Sequence, residues 1–252
     1  MQLGFCGKFY NFMDSTTLCG LASGSGFEAV SLSAAQAMTV QAACREVCWT
    51  PESGLSLEDA IRCAATKCVQ LLVLPAELAQ AHRQVLLEAV RSTSLLFAFE
   101  NGYGGEEKSP FVQTLHCIYG SIAKDLIALT DSFNQDTGSQ RFFACWNTGH
   151  GTVCQQDAPA AVRALGYRLL SIHANDNHGI LDYHLPPMRG RGGMDWQNFI
   201  QALHDIRFPG VFYLEINSGL AQRSQELTVR YLRMLYALGR TLAVPLERSD
   251  AT

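Results

Sequence analysis

Long apolar runs are missing from this 252-residue chain: no window approaches the roughly 18 unbroken apolar residues that a bilayer-spanning helix needs. The N-terminus also lacks a charged leader followed by an apolar stretch, so secretion is disfavoured and the cytoplasm is the expected compartment. Basic runs are absent too. The 19 Lys and Arg residues are scattered and the formal charge is −4, which leaves no electrostatic footprint for a nucleic-acid backbone. The nine cysteines include no CxxC pair, and their odd number and irregular spacing argue against a disulfide framework. Thiols such as Cys48, Cys63, Cys117 and Cys145 fall inside predicted strands or helices, where reduced cysteines are expected to behave as small buried hydrophobes. No internal repeat, low-complexity tract or interdomain linker interrupts the chain.

What is present is enough for one large core. With 48% hydrophobic and 17% charged residues, residues 1–252 read as a single domain, at about the usual length of an α/β barrel. Short apolar runs at Leu3–Cys6, Phe27–Leu32, Arg45–Thr50, Val69–Leu74, Ser94–Glu100, Arg141–Trp146, Arg168–His173 and Val211–Glu215 predict strands covered on both faces. Helical patterns separate them at Ser56–Lys67, Leu78–Arg91, Pro110–Thr130, Ala158–Leu165, Asp195–Ile206 and Gln225–Leu242. Eight such alternations predict an α/β fold, a single (β/α)8 TIM barrel. Its first two units are expected to be abbreviated, since Phe9–Gly26 is rich in Gly, Ser and Thr and shows little helical period.

In such a barrel the chemistry sits at the C-terminal strand ends, where the βα loops converge. Four predicted strand ends carry ligand-type residues: Glu100, the Asn147-Thr148-Gly149-His150 tetrad, His173 and Glu215. A carboxylate beside a buried wall is costly unless a cation compensates it, so Glu100 and Glu215 point to a shared divalent ion, or else to partners such as Arg189 and Arg191. His173 can bind that ion through one nitrogen while Asp176 holds the other, although an Asn175-Asp176-Asn177 turn explains Asp176 as well. His150 lies between glycines that allow close backbone approach to a ligand. Arg189 and Arg191, set among glycines, suit a phosphate or carboxylate clamp or an exposed loop. Phe9, Trp49 and Trp146 are candidates for an apolar wall of the site, or for plain core.

These stations resemble the xylose isomerase-like barrels, a family that includes sugar and sugar-phosphate isomerases and epimerases, inosose-processing enzymes and apurinic-site endonucleases. The resemblance rests on Phe99-Glu100-Asn101, Trp146-Asn147-Thr148-Gly149-His150, Ser171-Ile172-His173, the segment from Asp182-Tyr183-His184 through Pro186-Pro187 to Trp196, and Tyr213-Leu214-Glu215. It implies one divalent ion, with manganese favoured over magnesium, cobalt or zinc, held by Glu100, Asn147, His173 and Glu215. It further implies that Glu100 and Glu215 are the acid/base pair of an enolisation, that His150 and His184 position a small sugar or polyol, and that Asp182 supports them. Homo-oligomers are compatible with it. The endonuclease branch also needs histidines on the second and third strands, where this chain has Ser31 and Trp49-Thr50.

Position 147 departs from the family pattern, in which Asp is usual. An amide carbonyl can still coordinate but brings no charge, so metal affinity is expected to be lower than in an Asn147→Asp variant. Asn147 alternatively caps a turn before Gly149, and a barrel weakened at this position is compatible with a non-catalytic carbohydrate binder. An inosose-type dehydratase would use the same enolisation.

Overall fold

The computed structural model describes residues 1–103, 117–188 and 193–243. Its strands are β1 (Gln2–Cys6), β2 (Ala29–Ser33), β3 (Glu46–Cys48), β4 (Leu71–Pro75), β5 (Leu96–Glu100), β6 (Phe142–Asn147), β7 (Leu169–Ala174) and β8 (Val211–Leu214). Each pairs in parallel with the next and β8 pairs with β1, closing the (β/α)8 barrel that the alternation predicts. The intervening helices are α1 (Ser15–Gly24), α2 (Ala34–Thr39), α3 (Leu57–Thr66), α4 (Arg83–Ser92), α5 (Ala123–Thr137), α6 (Thr148–Val153), α7 (Ala158–Leu165), α8 (Trp196–Asp205) and α9 (Gln225–Leu242). No described helix is long and apolar enough to cross a membrane.

The second unit is short, with six residues in α2, but the first holds a ten-residue helix that periodicity does not reveal. Thr16, Thr17, Gly20 and Gly24 dilute its apolar stripe. The helix is set instead by its cap, Asp14, whose carboxylate accepts from the Thr16 and Thr17 N–H groups. The expected start of the fifth helix, residues 110–116, lies outside the described residues.

Strand residues divide by size rather than by polarity alone. One row of side chains, including Phe5, Leu32, Val47, Leu72, Phe97, Phe99, Phe142, Ile172 and Phe212, joins the main apolar cluster under the helices. The alternate row is smaller and forms two separate clusters, Cys6, Ala29, Val211 and Tyr213 in one and Leu71, Val73, Ala98 and Cys145 in the other. These line the barrel interior, where side-chain layers from alternate strands must fit together. A Cβ on Gly4 would stand 2.3 Å from the Tyr213 ring, so glycine there is what lets that ring lie inside.

Successive strand side chains alternate faces, so the inward row continues two residues further at each strand's C-terminal end. Ala98 leads to Glu100, Cys145 to Asn147, Ser171 to His173, Tyr213 to Glu215, and Cys6 to Lys8. Between β6 and β7 the register shifts by one residue after Ala144, so that Cys145 pairs with Ser171 and Asn147 with His173. The shift delivers two polar side chains to neighbouring places in one mouth.

Candidate active site

His173 lies at the centre of the mouth and is fully buried. Its Nδ1 is 2.6 Å from Glu100 Oε1 and 3.7 Å from Glu215 Oε1, while its Nε2 is 2.8 Å from Glu46 Oε1. Glu46 points inward from β3, is itself fully buried, and accepts a second hydrogen bond from the Ser171 hydroxyl at 2.6 Å. The acceptor expected of Asp176 is therefore Glu46. Asp176 instead accepts from the Trp196 indole N–H at 3.2 Å and the Asn177 N–H at 2.9 Å, which ties the loop after β7 to α8.

Burial disfavours a charge on His173, yet its pKa stands well above the ordinary value because Cys145, Glu100, Glu46 and Cys48 surround it. The Cys145 thiol is pushed up by burial to about 12 and is neutral at pH 7, so the two carboxylates carry the effect. Burial would also raise Glu100, but His173, then His150 and Lys8, hold it far below the usual carboxylate range. For Glu215 burial is opposed by Lys8, His173 and His184, and the net direction is again down. Both glutamates are ionised at neutral pH.

Asn147 joins the two. Its amide N–H groups donate to Glu100 Oε1 at 3.0 Å and Glu215 Oε2 at 2.9 Å. Its Oδ1 caps α6, accepting from the Gly149 and His150 N–H groups at 3.0 and 3.2 Å and from the Asn175 amide at 3.0 Å. Main-chain N–H groups can only donate, so they fix which end of the amide faces them. This corrects the expectation that the carbonyl of residue 147 is a metal ligand: that oxygen faces α6, and hydrogen-bond donors face the carboxylates.

Lys8, which the sequence reading passes over, completes the ring. Its Nζ is 2.5 Å from Glu215 Oε1, and the side chain is 28% exposed against 1% for Glu215. Burial would lower the Lys8 pKa, but Glu215 and Glu100 raise it well above the ordinary value. An ammonium and two amide N–H bonds thus face the place that an ion shared by Glu100, Asn147, His173 and Glu215 would occupy. The four-ligand set does not fit this arrangement. Among the described residues, ligand-type atoms do converge in two groups, Glu46–Cys48–His173 and Glu100–Cys145–His173, each within 4.8 Å and both including His173.

A second tier lies above the ring. Asp182 Oδ2 bridges His150 Nε2 at 3.3 Å and His184 Nε2 at 2.8 Å. Burial is outweighed by these histidines, so Asp182 is held far below the ordinary carboxylate range, and Asp182 in turn raises His150. His150 Nδ1 lies 2.6 Å from the Asn101 carbonyl, and His184 Nδ1 is 3.4 Å from Glu215 Oε2. Phe9 packs on His184 with ring centroids 4.5 Å apart, whereas Trp49 and Trp146 are buried in the core. Gly149 admits the close approach of this tier: a Cβ there would meet Asn175 Oδ1 at 1.9 Å. Arg189 and Arg191 lie outside the described residues. Lys8, Glu46, Asn101 and Asn175 are the members that sequence reasoning missed. The two-residue step from Cys6 to Lys8 was the available signal for the first.

Residues 113–237 match the family model of the xylose isomerase-like TIM barrel. Among solved structures, the chain is similar to D-psicose 3-epimerase with D-tagatose from Clostridium cellulolyticum H10, at 12% identity and a TM-score of 0.68 over 96% of this chain and 99% of that one. It is similar to 3-keto-D-glucoside 4-epimerase from E. coli at 12% identity and a TM-score of 0.67, again over 96% and 99%. A xylose isomerase domain protein from Alicyclobacillus acidocaldarius aligns at 16% identity and a TM-score of 0.59 over 95% and 99%. Among curated proteins, none matches.

Proposed function

We propose that this xylose isomerase-like TIM barrel is an enzyme that isomerises or epimerises a small sugar or polyol, with Glu100 and Glu215 carrying the proton. One observation supports the reading above all: two ionised carboxylates from separate strands face a common space, linked by the Asn147 amide at 3.0 and 2.9 Å. The epimerases among the similar structures agree with it.

A ketose in the mouth presents a C–H bond flanked by a carbonyl and a hydroxyl. One carboxylate takes that proton. The C–H electron pair closes a carbon–carbon double bond, and the carbonyl pair moves onto oxygen to give an enediolate. A preorganised donor stabilises that oxygen, and the Lys8 ammonium, which has N–H bonds beyond the one given to Glu215, is placed to provide it. Proton return to the opposite face inverts the centre; return to the neighbouring carbon moves the carbonyl. The lowered pKa of each glutamate keeps it ionised at neutral pH and makes its acid form a strong donor on the return, while lessening its strength as a base. His150 and His184, aligned by Asp182, are positioned to hold substrate hydroxyls.

The test is incubation of the full chain with D-psicose, D-tagatose and D-fructose in D2O. Deuterium is expected beside the carbonyl of at least one ketose, with an epimer or isomer visible by NMR. No exchange across the panel would remove the reading, and loss of water from the substrate would redirect it to a dehydratase.

A further inference from the structure

Most of the acceptors that a shared ion would need in the lower ring, both Glu215 oxygens, Glu100 Oε1 and Asn147 Oδ1, are already met by donors of this chain. Glu215 Oε1 receives the Lys8 ammonium at 2.5 Å, and Glu215 Oε2 receives N–H groups from Asn147 at 2.9 Å and Asn175 at 3.2 Å. Glu100 Oε1 takes an Asn147 N–H at 3.0 Å and lies 2.6 Å from His173 Nδ1. The amide oxygen of the expected ligand Asn147 has three donors of its own, while the Asn175 amide, which also donates to Glu215, leaves its buried Oδ1 without a hydrogen-bond partner. A hard divalent cation requires anionic or carbonyl oxygens free to turn toward it. This ring turns hydrogen-bond donors and an ammonium into the same space, and a 2+ ion there would stand against that fixed positive charge.

We infer that the mouth works without a divalent ion, the Asn147 amide occupying the carboxylate oxygens that an ion would need and the Lys8 ammonium supplying the positive charge that holds an enediolate oxygen. The inference deepens the isomerase reading and rests on it, but its central test does not. Substituting Asp for Asn at 147 restores a charged acceptor, and removing the Lys8 amine takes away the competing cation. The two changes belong together because one donor stands on each side of Glu215. His173 is the alternative anchor for an ion, through either Glu46 and Cys48 or Glu100 and Cys145, and zinc is the ion those sulfur-containing sets would select.

The experiment titrates the full chain with MnCl2 and with ZnCl2 by calorimetry, after dialysis against EDTA, alongside elemental analysis of the purified protein. The wild type is expected to bind neither ion stoichiometrically. Lys8→Met/Asn147→Asp should take up one Mn per chain at least about tenfold more tightly than the wild type, the scale on which a neighbouring polar group controls metal affinity. Asn147→Asp alone should fall between them, and it preserves the comparison if the double variant does not fold by circular dichroism. One Mn or Zn retained per wild-type chain overturns the inference, as does a double variant no tighter than the wild type. Deuterium exchange that EDTA abolishes would sink it while leaving the sugar isomerase standing; a panel of ketoses inert with and without Mn would sink the isomerase and leave the titration to judge this one.

Discussion

The two halves of the barrel meet in one mouth but contribute differently. From β5 to β8 come Glu100, Asn147, His173 and Glu215, the groups able to move protons or hold a substrate, all within one residue of a strand's C-terminal end. From β1 to β4 come Lys8 and Glu46, which touch Glu215 and His173 and set the charge those groups carry. The contrast separates groups that carry protons from groups that fix the charge state in which they do so, with Lys8 placed to face the reacting oxygen as well. The sharpest way to break it is to remove the proton carriers. Glu100→Gln and Glu215→Gln should each lower deuterium exchange into a bound ketose by about 10²–10⁴-fold, with circular dichroism unchanged. Full exchange in either variant would remove that residue from the mechanism.

The earlier half is tested next, through stability. Glu46 is a fully buried carboxylate held between the Ser171 hydroxyl and the His173 ring. Glu46→Gln keeps the shape but gives up the charge-assisted bond, and should cost about 1.5–3 kcal/mol in urea denaturation. An unchanged midpoint would mean that Glu46 does not pair with an imidazolium.

How legible each half is follows from the same contrast. A carboxylate or imidazole that closes an apolar run is conspicuous, and Glu100, His173 and Glu215 stand out for that reason. All eight strands were readable because each is a short apolar run bounded by polar residues. Glu46 sits at the start of a strand of only three residues, beside Arg45, and nothing local shows that it turns inward. Its direction is a property of barrel closure. Lys8 looks like a loop cation until its place two residues beyond Cys6 is laid onto the closed sheet. Asn147 was recognised as a departure, but whether its amide or its carbonyl faces the carboxylates depends on α6, whose N–H groups claim the oxygen. Asp176 was drawn to the wrong partner because the distance in sequence from His173 is short while the inward step from β3 is long-range.

The pH dependence of stability refines the comparison further. The folded pKa of His173 is raised, so the stability it contributes is fully present below its unfolded value of about 6.5 and is lost as pH climbs through the folded value. Glu100, Glu215 and Asp182 are lowered, so their contribution is present above about pH 4 and is lost as pH falls through their folded values. A broad plateau through neutral pH follows, with an acid and an alkaline limb. Glu46→Gln removes one of the anions that raise His173, so its alkaline limb should begin at lower pH than in the wild type while the acid limb stays in place. Melting temperatures measured across the range check this, and coincident alkaline limbs would show that β3 does not tune the histidine.

The smallest effect is expected where the halves look most alike. Cys48 on β3 and Cys145 on β6 each lie with a glutamate and His173 in a group of converging ligand-type atoms, one from either half. Burial pushes up both thiols, Cys145 to about 12, so each is a neutral S–H at pH 7. The Cys48 Sγ contacts within the site are long, 3.7 Å to Glu46 Oε1 and 3.9 Å to His173 Nε2, and its nearer contact, at 3.3 Å, is to the Ser31 hydroxyl. Both sulfurs should then act as small apolar fillers, and Cys48→Ala and Cys145→Ala should each cost no more than about 1 kcal/mol, the usual centre for single substitutions. Denaturant titration of the pair decides it. A much larger loss for Cys48→Ala alone would mean that its sulfur is needed to seat the Glu46–His173 contact, and that the earlier half holds the histidine in position as well as in charge.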